Sequence, residues 1–275
     1  MMAITLREII DTAIRLSGKE QISFDSCVNC KNLDQKVCHI LAGIDMSTPE
    51  ILTAKLIGAD CVIGHHLAGG LAIRQMSKDF CIQIDKFREM DLLTDEIIER
   101  IDQIERNQKN DYYGYNYYRV TSISDTLNIP FMNFHTSIDL VSEHYISKLI
   151  SENIDQNDNI QKLINLISNI SEVKESIEDP RVIVGSNSNK VGRAIPLFTY
   201  SANTDLYNLY FQHGIDTIIC MYTPQNFNIS DLHEGKNIVE IGHMAGDSIG
   251  MNIFLNEISD KYNVKLTKIS GLIGG

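Results

Sequence analysis

Short, nearly continuous apolar runs alternate along this chain with stretches whose apolar residues recur at helical spacing, and that alternation restricts the fold to the α/β class. The pattern is clearest between Cys38 and Ile63. Cys38-His39-Ile40-Leu41-Ala42-Gly43-Ile44-Asp45 has the composition of a strand buried on both faces. Thr48 offers an N-cap, Pro49 suits the first helical position and Gly58 is a stop, so a helix is expected between them. Cys61-Val62-Ile63 supplies the next strand. Strand, helix and strand in that order predict parallel pairing through a right-handed crossover.

The same reading extends over the rest of the chain. Thr5 with Glu8 forms a capping-box pattern ahead of a helix to Leu16, and further helices are expected over 94–108, 122–128, 140–151, 160–167, 205–212 and 247–260. A short helical turn is expected at 230–233. Strands are expected at 131–134, 181–184, 215–221, 237–241 and 264–269. The polar stretch from Ser151 to Pro180 suggests a division into two α/β halves with largely parallel or mixed sheets, 1–155 and 156–275. Residues 70–120 read as a helical insertion with tyrosines at 112, 113, 115, 117 and 118. These aromatics either stack on a base or pack against the protein or an oligomer partner. Gly185 to Gly192 lacks both nucleotide-loop patterns and reads as a turn.

Charge and cysteine content narrow the function classes. Twenty-four basic residues against 36 acidic ones give a net charge of −12, which disfavours nucleic acid and anionic membrane surfaces as partners. An anionic substrate would need a metal or a local cation. Six cysteines in 275 residues are too sparse for a disulfide framework, so a reducing cytoplasm is expected. Cys27-Val28-Asn29-Cys30 has the spacing of a metal knuckle, but no second pair follows, and it reads as structural thiols.

Three apolar strands run directly into histidine: Val62-Ile63-Gly64-His65-His66, Met132-Asn133-Phe134-His135 and Val239-Glu240-Ile241-Gly242-His243. Open α/β sheets bind ligands beyond the carboxyl ends of their strands, so these histidines can converge. Asp139 follows His135, and Asp247 follows His243, each by one helical turn. Imidazole with carboxylate is the ligand chemistry of zinc, manganese or ferrous iron. Adjacent strand residues point to opposite faces, so His65 and His66 reach one ion only if the chain bends at Gly64, whereas two ions about 3.5–4 Å apart can take one each. The plain alternatives are a loop His-His pair and two aspartates that merely cap helices. His39 reads as a core histidine.

These same residues resemble the NIF-three-like dinuclear-metal-centre proteins, many of them described as GTP cyclohydrolase 1 type 2 homologues. Gly43-Ile44-Asp45 and Gly58-Ala59-Asp60 before the double histidine resemble that family's first motif. Phe134-His135-Thr136-Ser137-Ile138-Asp139 is similar to its His-Thr-x-x-Asp motif, and Gly242-His243 with Asp247 to its terminal Gly-His-x-x-x-Glu. The resemblance implies a site at the strand ends between two α/β halves. It would hold two divalent ions (Zn, Fe, Mn or similar) on His65, His66, Asp139, His243 and Asp247, with His135 either behind those ligands or facing substrate. It further implies a homo-oligomer, often a hexamer. The chain departs from the pattern in Leu67-Ala68-Gly69-Gly70 after the double histidine, in the insertion, and in Asp247 where glutamate is usual. The expected function is a metal-dependent hydrolase of nucleotides or other phosphate-bearing small molecules. The alternative is a non-catalytic metal-binding scaffold or metal-handling protein.

Overall fold

The structure, a computed structural model of the chain, describes residues 3–108, 114–199, 203–223 and 235–274. Tyr112, Tyr113 and the turn expected at 230–233 lie outside the described residues. In chain order the elements begin with β1 (Ile4–Thr5), α1 (Leu6–Ser17), β2 (Cys27–Asn29), β3 (Lys36–Val37), β4 (His39–Gly43), α2 (Thr48–Ile57) and β5 (Cys61–Gly64). They continue with α3 (Ala72–Gln75), α4 (Cys81–Glu89), α5 (Asp95–Gln108), α6 (Arg119–Leu127), β6 (Phe131–Asn133), α7 (His135–Asn153), α8 (Ile160–Ile167) and α9 (Ser171–Glu175). The last are β7 (Arg181–Val184), β8 (Ala194–Pro196), α10 (Thr204–Gln212), β9 (Thr217–Cys220), β10 (Asn237–Glu240), α11 (His243–Lys261) and β11 (Lys265–Ile269).

Local chemistry explains the helix starts. Ahead of α1 the capping box forms: Glu8 N donates to Thr5 Oγ1 at 3.2 Å, and Thr5 N donates to Glu8 Oε2 at 2.8 Å. In α2 the cap is Ser47, not Thr48, because Glu50 Oε2 accepts from Ser47 N at 2.7 Å and from Ser47 Oγ at 3.0 Å. Gly58 ends that helix in the left-handed region, φ 68°, where glycine carries no Cβ penalty.

The chain folds as two compact units, and neither is a continuous segment. The first comprises 1–79, 108–141 and 247–272; the second comprises 80–107, 142–246 and 273–275. This division differs from the halves 1–155 and 156–275 expected from the sequence. Two pairings cause the difference. Strand β11 runs parallel to β4 and returns the C-terminal residues to the first unit. Helices α4 and α5, expected as an insertion, bury Phe87, Ile97, Ile101 and Ile104 in the core of the second. Helices α7 and α11 are each continuous across the division.

The sheet of the first unit has the order β11-β4-β5-β6-β2, parallel except for β2 against β6. Its register aligns Gly43, Gly64 and Asn133 across β4, β5 and β6. The three chains therefore leave the sheet at one edge. Helices α2 and α6 cover one face through Met46, Ile51, Ala54, Val62, Val120 and Phe131. Ile51 and Phe131 are fully buried, and each such side chain contributes about 1.5–3 kcal/mol. A two-stranded ribbon of β1 and β3 completes this unit.

In the second unit the order is β7-β10-β9-β8, with β7 antiparallel and the others parallel. Phe87 stacks on Tyr210 at 4.4 Å beside Ile218 and Ile238. Both sheets are thus mixed, as expected for this class. Cys27, Cys61 and Cys220 are buried, and burial pushes their thiols upward, Cys27 to about 11 and Cys220 to about 12. Cys27 serves the core of the first unit, in line with the structural reading of the Cys27 to Cys30 pair. Among the described residues no helix is long and apolar enough to cross a membrane.

Candidate metal centre

The aligned edge of β4, β5 and β6 delivers the functional side chains of the first unit. Asp45 follows β4, His65 and His66 follow β5, and His135 opens α7 directly after β6. The last placement corrects the sequence reading, in which that helix started at Leu140. Asp139 is therefore one turn inside α7, and Asp247 is likewise inside α11, which starts at His243.

The double histidine leaves the strand in a bend. His65 N and His66 N both donate to Ile44 O, at 3.2 and 3.1 Å, which breaks strand alternation and lets both rings face Asp247. Gly64 itself is in the strand. Its small size matters because a Cβ there would sit 3.1 Å from Met46 Cβ.

His65, Asp139 and Asp247 are at most 2 % exposed. His65 Nε2 lies 3.1 Å from Asp139 Oδ1, His65 Nδ1 lies 3.9 Å from Asp247 Oδ2, and His66 Nε2 lies 3.0 Å from the same Asp247 oxygen. His66 Nδ1 meets Asp45 Oδ1 at 2.8 Å. A carboxylate on the far ring nitrogen fixes the imidazole tautomer and aims the near nitrogen at an ion. His135 shows the same device: its Nδ1 donates to Asp25 Oδ2 at 2.7 Å, and Asp25, fully buried, also accepts from Thr136 Oγ1 at 2.8 Å. The rings of His65 and His135 are 5.1 Å apart.

The donor set fits a divalent cation. His65 Nδ1, His65 Nε2 and Asp139 Oδ1 are buried without a hydrogen bond, which buried polar atoms rarely tolerate. Nitrogen and oxygen ligands at about 2.0–2.2 Å around a tetrahedral ion lie roughly 3.3–3.6 Å apart, close to the separations between these side chains. His65, Asp139 and Asp247 offer ligand atoms within 4.8 Å of one another, as do His65, His66 and His135. These clusters could bind metal. Their electrostatics agree: burial alone would lower the His135 pKa, yet the carboxylates of Asp139, Asp25 and Asp247 raise it to about 10. Burial also pulls His66 down, and Asp247 with Asp45 pulls it back above its ordinary value.

Of the sequence-predicted set, His65, His66, His135, Asp139 and Asp247 all fall in the first unit. His243 opens α11 on the second unit's side of the division, with its ring 4.8 Å from that of Tyr222. It precedes Asp247 by one helical turn, which places both on one face of the helix. Asp25 and Asp45 escaped the sequence reading. Asp45 carried a faint signal at the end of a predicted strand, whereas Asp25 carried none.

Behind Asp25 stands Asp79, whose carboxylate accepts from Phe24 N at 2.9 Å and Asp25 N at 2.8 Å. Burial, then the Asp25 charge, raises Asp79 to about 8 from 3.8. Its stabilising contribution is complete below 3.8 and lost as pH rises through about 8. The melting temperature is therefore expected to fall between about pH 4 and 8, and Asp79→Asn, which cannot ionise, to flatten that fall. A pH scan by differential scanning fluorimetry checks this; an unchanged slope in the variant contradicts it.

Structural comparison finds this fold in known proteins. A NIF3 superfamily protein from Sphaerobacter thermophilus superposes with a TM-score of 0.89 at 22% sequence identity, covering 99% of this chain and 100% of that one. Reduced HcgD from Methanocaldococcus jannaschii gives 0.60 at 14% identity, with 98% of each chain covered. The protein ybgI, of unknown function, gives 0.60 at 13% identity over 99% of each. No protein-family model and no curated protein matches the sequence. The chain thus has the NIF3 fold, in agreement with the motif resemblance.

Proposed function

We propose that this chain, with its NIF3 fold, is a dinuclear metal-dependent hydrolase. It would hold two divalent ions on His65, His66, Asp139, His243 and Asp247 and act on a nucleotide or another phosphate-bearing small molecule. The observation that carries the reading is the pair His65 and Asp139, buried, 3.1 Å apart and without a hydrogen bond on the facing atoms. Zinc, iron or manganese suits this mixture of imidazole and carboxylate. When bound, two such ions lower the pKa of a water and polarise the bond it attacks.

The protein's own groups do the rest. His65 and His66 donate neutral imidazole nitrogen, and Asp45 holds His66 in the tautomer that leaves Nε2 facing the site. Asp139 and Asp247 supply negative charge. Two dications, if bound, would offset the four carboxylates of Asp25, Asp45, Asp139 and Asp247 around the site, so that a phosphate would not be repelled there. His135, oriented by Asp25 through Nδ1, presents Nε2 to give a proton to a leaving group or take one from an attacking water.

The side chains of His66 and His135 are 21% and 22% exposed, which suits an open catalytic site better than the sealed site of a scaffold. A GTP cyclohydrolase 1 type 2-like reaction rests on the motif resemblance alone. A homo-oligomer, a hexamer by that resemblance, accords with the exposed Leu52, Leu56 and Ile57 of α2, and a cytoplasmic location rests on the sparse cysteines alone. Turnover of a nucleotide and phosphoester panel by metal-loaded protein tests the reading. His135→Gln is expected to lower the rate about 10²- to 10⁴-fold with metal content unchanged. No turnover by fully loaded protein would favour the scaffold.

A further inference from the structure

Beside His66 the first unit contains an open cleft of about 820 Å³. Small-molecule sites span roughly 300–1,000 Å³, so the cleft has room for a nucleotide. Asp45 and His66 form one side, and Tyr115, Asn116 and Arg119 another. The second wall is tied to the loop that follows the double histidine. Gly70 N donates to Tyr117 O at 2.7 Å, Gly70 takes φ 70°, and a Cβ on Gly69 would come within 3.2 Å of that same oxygen. Any bulkier pair than Gly69-Gly70 would push the wall away.

Charges in the cleft are unequally committed. Asp45 accepts from His66, and Glu50 accepts from Ser47 and from Ser270. Arg119 forms no ion pair with the described residues. Tyr115 lines the cleft and is 57% exposed. We propose that the cleft seats a nucleotide, with its phosphate between His66 and Arg119 and its base against Tyr115. A planar guanidinium matches phosphate in two-pronged hydrogen bonding, and an exposed aromatic face binds any nucleobase. This inference rests on the hydrolase reading and gives its substrate site a location.

Calorimetric titration of the full chain, loaded with Mn²⁺ or Zn²⁺, tests it with AMP, adenosine and inorganic phosphate as probes. Arg119→Gln is expected to weaken AMP and phosphate at least about tenfold. Tyr115→Ala is expected to weaken AMP and adenosine about tenfold and leave phosphate unchanged, and Tyr115→Phe to restore them. Both variants should keep the wild-type metal content. Equal AMP affinity in wild type and Arg119→Gln, or no AMP binding by metal-loaded protein, overturns the inference and leaves the metal centre standing. A wild-type chain that takes up no metal removes both.

Discussion

Asp139→Asn is expected to shift stability in opposite directions without and with a divalent cation. In chelator the variant should be more stable than wild type by about 1–3 kcal/mol, because Asp139 is 2 % exposed and its Oδ1 lies against His65 Nε2 without a hydrogen bond. With cation in excess the order should reverse. A ligand at 1,000 times its dissociation constant stabilises by about 4 kcal/mol, and the variant loses that term with its affinity. Paired thermal melts in chelator and in Mn²⁺ or Zn²⁺ check the crossing. A variant less stable under both conditions would mean that Asp139 is an ordinary structural carboxylate.

The second large effect concerns the second unit. Glu143 Oε1 accepts from Phe198 N, Thr199 N and Thr199 Oγ1 at 2.8 to 3.0 Å, and Oε2 pairs with Lys86 Nζ at 2.6 Å. The side chains of Lys86 and Glu143 are only 16% and 5% exposed. Lys86→Met would leave a buried carboxylate without its counter-ion, at a cost of about 3–5 kcal/mol. Adding Glu143→Gln removes the stranded charge and keeps an oxygen for the three donors. The double variant should recover most of the loss, since a neutral replacement of a buried pair is often tolerated. Urea denaturation of the three variants measures this cycle; a Lys86→Met loss below about 1 kcal/mol would show that water reaches the pair.

Much of the site was legible because it obeys a rule of topology. Parallel strands deliver their C-terminal ends to one edge, so His65, His66 and His135 could be grouped from strand-to-histidine junctions alone. What escaped was set by chain return. Asp25 reaches His135 because β2 pairs antiparallel with β6, a pairing of three residues with no turn signal to announce it. Helical periodicity over 94–108 put Ile97, Ile98, Ile101 and Ile104 on one face, of which Ile97, Ile101 and Ile104 are buried and Ile98 is half-buried, but a buried face does not name its core. The early starts of α7 and α11 were missed for a similar reason: the strand runs straight into the helix, and no capping residue separates them.

Both the metal reading and the cleft depend on one quantity, the metal content of the folded chain. Protein purified without a polyhistidine tag, loaded with Zn²⁺ or Mn²⁺, desalted and analysed by inductively coupled plasma mass spectrometry should carry about two ions per chain. His65→Ala should lose most of that content. Wild-type stoichiometry well below about one ion per chain after loading would contradict the account.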